Sequence, residues 1–125
     1  HSDADVALHA LMDAMLGAAA LGDIGQHFPD SDPAYCGANS LVLLAQCMEM
    51  VRQQGWELEN VDAVVIAQEP KLAPYRLQMQ QNMARAMGVA QACIGIKATT
   101  TEHLGFCGRA EGIAAQAVCL LKRKE

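Results

Sequence analysis

The stretch VDAVVIA, which runs from Val61 to Ala67, is apolar apart from Asp62. Its centre is Val-Val-Ile, and β-branched residues of this kind favour strands. A continuous apolar run of this length is typical of a strand that is buried on both faces of its sheet. We therefore predict a central strand here that is covered on both sides.

A helical pattern opens the chain. Ser2 and Asp5 have the spacing of a capping box, in which each side chain satisfies a free helix amide. This spacing predicts a first helix from about Asp3 to Leu21. Its buried stripe follows the spacing i, i+3, i+4, i+7 and consists of Leu8, Leu11, Met12 and Met15.

A loop and a second helix lie between the first helix and the strand. The segment Asp23 to Gly37 is rich in Asp, Pro and Gly, which predicts a structured loop without regular elements. Asn39 or Ser40 can cap a second helix, and Gly55 can end it. The apolar face of that helix consists of Leu41, Leu44, Ala45 and Met48.

The chain after the strand holds two clear elements and one ambiguous segment. Pro74 lies where a helix can begin, and Gly88 predicts its end. Ile94 and Ile96 alternate with Gly and Lys, which predicts a second strand. The Ala-rich run Gly112 to Leu121 fits a helix or a buried strand equally well. Helices that alternate with strands predict an α/β layer structure.

Composition limits the class of protein. The chain has 125 residues with a mass of 13.4 kDa, which suits one domain, and its 52% hydrophobic content excludes disorder. A net charge of −5 has the wrong sign for binding to nucleic acid or to an anionic membrane. No apolar stretch approaches the roughly 20 residues that span a bilayer. Five cysteines without a CxxC pair are typical of reduced thiols, so we expect a cytoplasmic protein.

One candidate metal-binding pattern lies on the first helix. Asp5, His9 and Asp13 recur at every fourth position, which places an imidazole between two carboxylates on one helix face. A carboxylate that holds one ring nitrogen makes the other a better metal ligand. Zinc needs three or four protein ligands, however, and this pattern contains one histidine. On this pattern alone, a hydrogen-bonded histidine at a helix surface is the better explanation.

A second pattern indicates phosphate chemistry. The sequence Ala98-Thr-Thr-Thr-Glu102 follows the second predicted strand, where hydroxyls and free amides can face a phosphate and a carboxylate can hold Mg²⁺. A threonine run that simply ends a strand is the alternative. Lys71, Lys97 and Arg109 are the cations that could balance a diphosphate in this acidic chain.

Three blocks of sequence, in consistent order over nearly the whole chain, resemble one family. They are HSDADVALHALMDAMLGAAALGDIGQHFPDSDP, VIAQEPKLAPY and KATTTEHLGFCGRAEGIAAQAV. The family is 2-C-methyl-D-erythritol 2,4-cyclodiphosphate synthase of the non-mevalonate isoprenoid pathway. Three long blocks in register are more specific than any short motif.

The resemblance implies a fold and an assembly. The family has a mixed four-stranded sheet with helices on one face, similar to bacterial chorismate mutase, so Gly112 to Leu121 would be a strand. Its members are homotrimers with active sites between adjacent subunits, and trimerisation would bury the second sheet face. The family's first strand carries an Asp-x-His motif that has no counterpart here. We therefore expect residues 1–125 to form a single cyclodiphosphate synthase domain that is incomplete at its N-terminal side.

The resemblance also implies a reaction. The 2-phosphate of 4-diphosphocytidyl-2-C-methyl-D-erythritol 2-phosphate would attack the β-phosphorus, close a cyclic diphosphate and expel CMP, which is the reaction of a phosphorus–oxygen lyase. Zinc, one ion per subunit, and Mg²⁺ or Mn²⁺ bound with the diphosphate are the implied cofactors. Positioning and electrostatic stabilisation would supply most of the catalysis.

Site residues follow from the same resemblance. His9 resembles the third protein ligand of zinc, the other two belonging to the missing Asp-x-His motif, and Glu102 resembles the ligand of Mg²⁺ or Mn²⁺. His1 and Thr100 match the groups that stabilise the transition state. The substrate-binding positions implied are His1, Ser2, Asp23, Ile24, Gly25, Phe28, Pro29, Asp30, Ser31, Asp32, Ala67, Gln68, Glu69, Pro70, Lys71, Leu72, Ala73, Thr99, Thr100, Thr101, Glu102, Phe106 and Arg109. Of these, Phe106 and Arg109 resemble residues that line the central trimer cavity, which in some relatives holds an isoprenoid diphosphate.

Departures from the family pattern leave two alternatives open. Cys36 and Leu41 stand where Lys and Arg are common, and Asn39 replaces a usual Asp, so local ion pairs are expected to be missing. The chain could be the cyclase domain of a bifunctional cytidylyltransferase and cyclase. It could also be an inactive trimeric module that binds an isoprenoid diphosphate.

Overall fold

The computed structural model describes residues 3–29, 39–69 and 72–125. The helices are α1 (Asp3–Ala18), α2 (Ile24–His27), α3 (Ser40–Gln53), α4 (Arg76–Met87) and α5 (Gly105–Gly108). The strands are β1 (Trp56–Ile66), β2 (Ile94–Thr99) and β3 (Ala114–Arg123). Two short 3₁₀ turns, Ala73–Tyr75 and Gln91–Cys93, precede α4 and β2. None of the helices in these three ranges is long and apolar enough to cross a membrane.

The predicted central strand is confirmed. The sheet has the order β2-β1-β3, with β1 parallel to β2 and antiparallel to β3. At its centre Val61 lies opposite Ile94 on one side and Cys119 on the other. The ambiguous Ala-rich segment is therefore a strand in a mixed sheet. Within the three described ranges the sheet has three strands and not four, so the fourth strand stays a prediction.

The prediction that the Val61 to Ala67 strand is covered on both faces is wrong for the single chain. The helices α1, α3 and α4 pack on one face of the sheet, where Val61, Ala63 and Val65 are buried. On the other face Asp62 is exposed and Val64 is half-buried. The apolar run therefore predicted the strand correctly but not its burial. Which face of the strand is covered depends on where the helices pack.

The helix bounds differ little from the predicted ones. Asn39 caps α3, because its side-chain oxygen accepts the N–H of Leu41 at 2.8 Å. Gly88 ends α4 with a left-handed φ of 65°, a conformation that glycine adopts without steric cost. The first helix ends at Ala18, three residues before the predicted Leu21, and the chain turns there.

One part of the predicted loop is helical. The short helix α2 begins directly after Asp23, whose side chain accepts the N–H of Gln26 while the Gln26 side chain accepts the N–H of Asp23. This reciprocal pair is a capping box, which gives the segment a helical turn that its Asp, Pro and Gly content did not predict. Residues 30–37 of the predicted loop lie outside the described ranges.

Candidate functional site

The carboxyl ends of β1 and β2 lie at the same edge of the sheet, because the two strands are parallel. Residues 67–69 follow β1, and residues 100–103 follow β2. The N–H of Ala67 donates to the carbonyl oxygen of Thr99 at 3.0 Å. The N–H of His103 donates to Oε1 of Gln68 at 3.1 Å. The structure thus brings together two segments that are 35 residues apart in sequence. We call residues 67–69 and 99–103 together the carboxyl edge.

The turn after β2 has an unusual backbone. Glu102 and His103 both adopt left-handed conformations, with φ of 53° and 66°. Such angles are disfavoured for residues with a Cβ atom and persist only where surrounding contacts hold them. One contact is the Thr100 hydroxyl oxygen, which accepts the N–H of Glu102 at 3.2 Å. A second is the Thr101 hydroxyl, which donates to the Leu104 carbonyl oxygen at 2.5 Å.

Gly108 packs directly against the backbone of this turn. A Cβ atom at residue 108 would lie 2.1 Å from the carbonyl carbon of His103 and 2.6 Å from its Cα. Only glycine leaves room for the His103 backbone at that distance. The short helix α5 therefore packs its last residue directly against the turn that carries Glu102.

Chemistry-bearing groups at the carboxyl edge are accessible. Thr99, Thr100 and Glu102 are exposed, and Thr101 and Gln68 are half-buried. The hydroxyls of Thr99 and Thr101 donate to the carbonyl oxygens of Thr100 and Leu104, whereas the Thr100 hydroxyl accepts the N–H of Glu102 and keeps its own proton for a ligand. A hydroxyl donor beside an exposed carboxylate suits an anionic phosphate and its counter-cation. Ala67 and Leu72 are buried, so their side chains belong to the core.

Phe106 and Arg109 lie just beyond the turn. The Phe106 side chain is 53% exposed, although it is one of only two phenylalanines in the chain. Nε of Arg109 donates to the Glu111 carboxylate at 2.8 Å, and both side chains are largely exposed. Phe106 and Arg109 lie three residues apart in sequence, and the Glu111 carboxylate partly balances the charge of Arg109.

The second predicted cluster lies along α1. His9 and Asp13 are exposed and Asp5 is half-buried. The Asp13 carboxylate accepts the N–H of Ile24 at 3.0 Å, which ties α2 to α1. His27 adds a second tie, because its Nε2 lies 2.7 Å from the Leu21 carbonyl oxygen, and Phe28 is buried beside it. The segment 23–28 is therefore firmly attached to the first helix.

The described ranges contain no group of three His, Cys, Asp or Glu side chains that could hold a metal ion. His9 by itself does not meet the three or four ligands that zinc requires. Glu102 fits Mg²⁺ or Mn²⁺ better, since Mg²⁺ is usually bound by one or two carboxylates together with substrate phosphates. The donors among the described residues thus suit a substrate-bound divalent cation and leave a zinc site incomplete.

Several predicted site residues lie outside the described ranges. They are His1, Ser2, Asp30, Ser31, Asp32, Pro70 and Lys71. Two of the remaining residues bind within the protein. One carboxylate oxygen of Asp23 accepts the N–H of Gln26 in the capping box, and the N–H of Ile24 donates to the Asp13 carboxylate. Pro29 is half-buried, and Gly25 and Ala73 are exposed.

The sequence analysis missed two residues that shape the site, Gln26 and Gly108, and one contact, that of Asp13 with Ile24. Gln26 stands three residues after Asp23, which is capping-box spacing and could have been recognised. The contact of Asp13 with Ile24 spans eleven residues, and no local pattern signals it. Gly108 was also missed, because its role depends on a backbone that folds back from His103.

Comparison with known proteins gives a consistent result. The YgbB family model matches residues 1–122. The chain is 61% identical over 122 residues to the 2-C-methyl-D-erythritol 2,4-cyclodiphosphate synthase of Thioalkalivibrio sulfidiphilus, and the match covers 98% of this chain and 76% of that protein.

Two solved structures have similar folds. The bifunctional IspDF of Campylobacter jejuni is 49% identical with a TM-score of 0.93, and the match covers 100% of this chain and 34% of that one. The CDP complex of Plasmodium falciparum IspF is 32% identical with a TM-score of 0.86, and covers 100% of this chain and 75% of that one. The chain thus spans about a third of the bifunctional protein and about three quarters of the other two relatives.

Proposed function

The chain belongs to the YgbB family, and we propose that it acts as a 2-C-methyl-D-erythritol 2,4-cyclodiphosphate synthase. Its substrate would be 4-diphosphocytidyl-2-C-methyl-D-erythritol 2-phosphate, and its products the cyclic diphosphate and CMP. The observation that carries the proposal is the carboxyl edge, where the Thr99 to Glu102 segment and the segment after β1 are joined by hydrogen bonds. A relative at 32% identity was solved with CDP, which is the nucleotide part of this substrate class.

The proposed step is an intramolecular phosphoryl transfer. An oxygen of the 2-phosphate forms a bond to the β-phosphorus, and the bond from that phosphorus to the bridging oxygen breaks. The electron pair of the broken bond stays on the α-phosphate, which leaves as part of CMP, and no water is consumed. The protein needs no nucleophile of its own, so its task is to position two anions and to balance their charge.

The chain's own residues would divide this task. We assign the cytidine and diphosphate parts to Ala67–Ala73 and Thr99–Glu102, and the methylerythritol part to Asp23–Gly25 with Phe28–Asp32. Thr100, with its exposed hydroxyl, and His1 would stabilise the transition state. Glu102 would hold Mg²⁺ or Mn²⁺ against the diphosphate, and that cation would neutralise phosphate oxygens when bound. His9 would supply one zinc ligand, and no step is assigned to zinc because the donors described do not complete its site.

A homotrimer is the proposed assembly. The sheet face opposite the helices exposes Val118 and Leu120, with relative exposures of 65% and 57%. Apolar side chains on an uncovered sheet face are stabilised when another subunit removes them from water. In such an assembly Phe106 and Arg109 would face an isoprenoid diphosphate in a central cavity.

The proposed reaction would be that of a phosphorus–oxygen lyase acting in the cytoplasm.

The proposal is tested by incubating the purified protein, at the length that its gene encodes, with the substrate, Zn²⁺ and Mg²⁺ and measuring released CMP by chromatography. We expect Glu102→Gln to lower turnover about a hundredfold, because it removes the negative ligand that would hold the cation against the phosphate oxygens. Glu49→Gln, which changes an exposed carboxylate on α3, is the control and should keep wild-type turnover. Equal turnover in the Glu102 variant and the wild type would exclude the assigned role. Zinc analysis of the wild type and of His9→Ala tests the second metal separately.

A further inference from the structure

The side chain of Gln68 links the two segments of the carboxyl edge. We propose that Gln68 is a positioning residue, which holds the Glu102–His103 turn and does not bind the substrate directly. The inference rests on the proposed function, because the turn carries the carboxylate assigned to the divalent cation. It changes the role implied for Gln68 by the family resemblance, which placed this residue among the substrate contacts.

The geometry identifies what Gln68 does. Its Oε1 accepts the N–H of His103 at 3.1 Å, and its side chain is half-buried. An amide oxygen has two lone pairs, and one of those on Gln68 accepts this backbone N–H. Gln68 is thus bound to the protein through its oxygen, and this contact sets the orientation of its side chain.

The turn needs this support. Glu102 and His103 are both left-handed and neither is glycine, so each adopts a backbone that residues with a Cβ atom disfavour. Two supports come from the same stretch of chain: Thr100 accepts the N–H of Glu102, and Gly108 packs under His103. Gln68 approaches from the segment after β1 and is an independent support. Its loss should let the turn relax, which would move the Glu102 carboxylate.

The hydrogen bond uses the oxygen of the Gln68 amide and not its nitrogen. Gln68→Met keeps the length of the side chain and removes the acceptor. Gln68→Glu keeps an acceptor oxygen at the same position, so it should restore the contact. Because its added charge also repels a diphosphate, the Glu variant is assessed by amide exchange and not by turnover. Gln46→Met, on the exposed side of α3, is the matched control.

The experiment compares hydrogen exchange of the His103 amide, CMP affinity without divalent cations, and turnover across a Mg²⁺ titration. For Gln68→Met we expect His103 exchange at least tenfold faster, unchanged CMP affinity, and about tenfold more Mg²⁺ for half-maximal turnover. Gln68→Glu should bring the exchange back to within twofold of wild type. Exchange that is unchanged in the Met variant, or CMP affinity that falls tenfold, would overturn the proposal in favour of direct substrate contact.

The measurements distinguish a failure of the proposed function from a failure of the role proposed for Gln68. A wild-type protein of the length that its gene encodes that releases no CMP with Zn²⁺ and Mg²⁺ contradicts the proposed function, and His103 exchange still decides whether Gln68 holds the turn. If the Met variant does not fold, Gln68→Asn replaces it. Its side chain is one methylene shorter, so it should also release the His103 amide. A Gln46→Met control with altered His103 exchange would count against a specific contact.

Discussion

The Asp13 carboxylate accepts the backbone N–H of Ile24 at 3.0 Å and so fixes the start of α2 to α1. Asp13 lies on the same helix face as His9, where the sequence suggested a partner for the imidazole. Its observed contact gives it a different function: it anchors the segment that carries Asp23 and Gly25, two positions assigned to the methylerythritol part of the substrate.

Removing that anchor should loosen the segment. We expect Asp13→Ala to speed hydrogen exchange in residues 21–29 and to lower the free energy of unfolding by about 1 kcal/mol, since one exposed hydrogen bond is lost. Exchange measured by mass spectrometry and chemical denaturation check both effects. Asp13→Asn keeps an oxygen acceptor and should behave as wild type. If Asn and Ala variants exchange equally fast, the negative charge of Asp13 matters and not its hydrogen bond.

Gly108 should tolerate no side chain. A Cβ atom there would overlap the His103 backbone, so Gly108→Ala is expected to lower the free energy of unfolding by about 2–3 kcal/mol. Thermal denaturation measures the change. Gly17→Ala is the matched control, because Gly17 lies in α1 with open space at its Cβ position. That variant should raise stability by about 0.5–1 kcal/mol through helix propensity. A Gly108→Ala protein as stable as wild type would contradict the packing of α5 on the turn.

Arg52 connects three elements of the core layer. Its guanidinium donates to the carbonyl oxygen of Met87 at the end of α4 at 2.7 Å and to the Glu57 carboxylate on β1, which lies 3.0 Å away. We expect Arg52→Ala to lower the free energy of unfolding by about 1–2 kcal/mol. Arg85→Ala, which removes an exposed arginine from α4, should change it by less than about 0.5 kcal/mol.

The pair of Arg52 and Glu57 should make the free energy of unfolding depend on pH. The hydrogen bond from Arg52 holds the pKa of the Glu57 carboxyl below its ordinary value. A carboxyl with a lowered pKa stabilises the fold above the unfolded pKa, about 4.3, and this stability is lost as the pH falls through the folded pKa. Glu57→Gln should therefore show a smaller loss of stability than wild type below about pH 4.3. Denaturation curves from pH 7 to pH 3 measure this, and parallel curves would exclude the contribution.

Assembly can be tested on the open sheet face. Val118→Arg places a charge on a side chain that is 65% exposed in the single chain, so the fold should persist while the trimer separates. Sedimentation should give the 13.4 kDa of one chain for the variant and three times that mass for wild type. Val42→Arg, on the exposed side of α3, should leave the assembly intact. A trimeric Val118→Arg protein would place the interface elsewhere.

Cys47 should be chemically silent in the folded protein. Burial, together with the nearby Asp13 charge, raises the pKa of the Cys47 thiol to about 12. At pH 8 its thiolate fraction should be on the order of a thousandfold below that of a free cysteine. Iodoacetamide labelling followed by peptide mass analysis should modify the half-buried Cys93 in the folded protein and Cys47 only on unfolding. Early labelling of Cys47 would contradict its burial in the core.

Much of the fold followed from local patterns. The stripe of Leu and Met on α1, the Asn39 cap and the Gly88 stop each act within a few residues, so the sequence predicts them from helix periodicity and capping chemistry. The family resemblance further implied that the Ala-rich segment is a strand. Residue spacing could not decide this, because small apolar residues fit both structures.

The sequence by itself determined most of the helices and strands and the family, because periodicity, caps and long blocks of similar sequence are properties of consecutive residues. Only the tertiary structure decided which face of β1 is covered. It also decided that the Asp13 carboxylate accepts the N–H of Ile24, and that Gln68 and Gly108 contact the Glu102–His103 turn. These contacts join residues from different elements, up to 35 positions apart, and local chemistry does not encode such distances. The candidate site is built from contacts of this kind. Its residue types were readable from the sequence, but the way they are held in place was not.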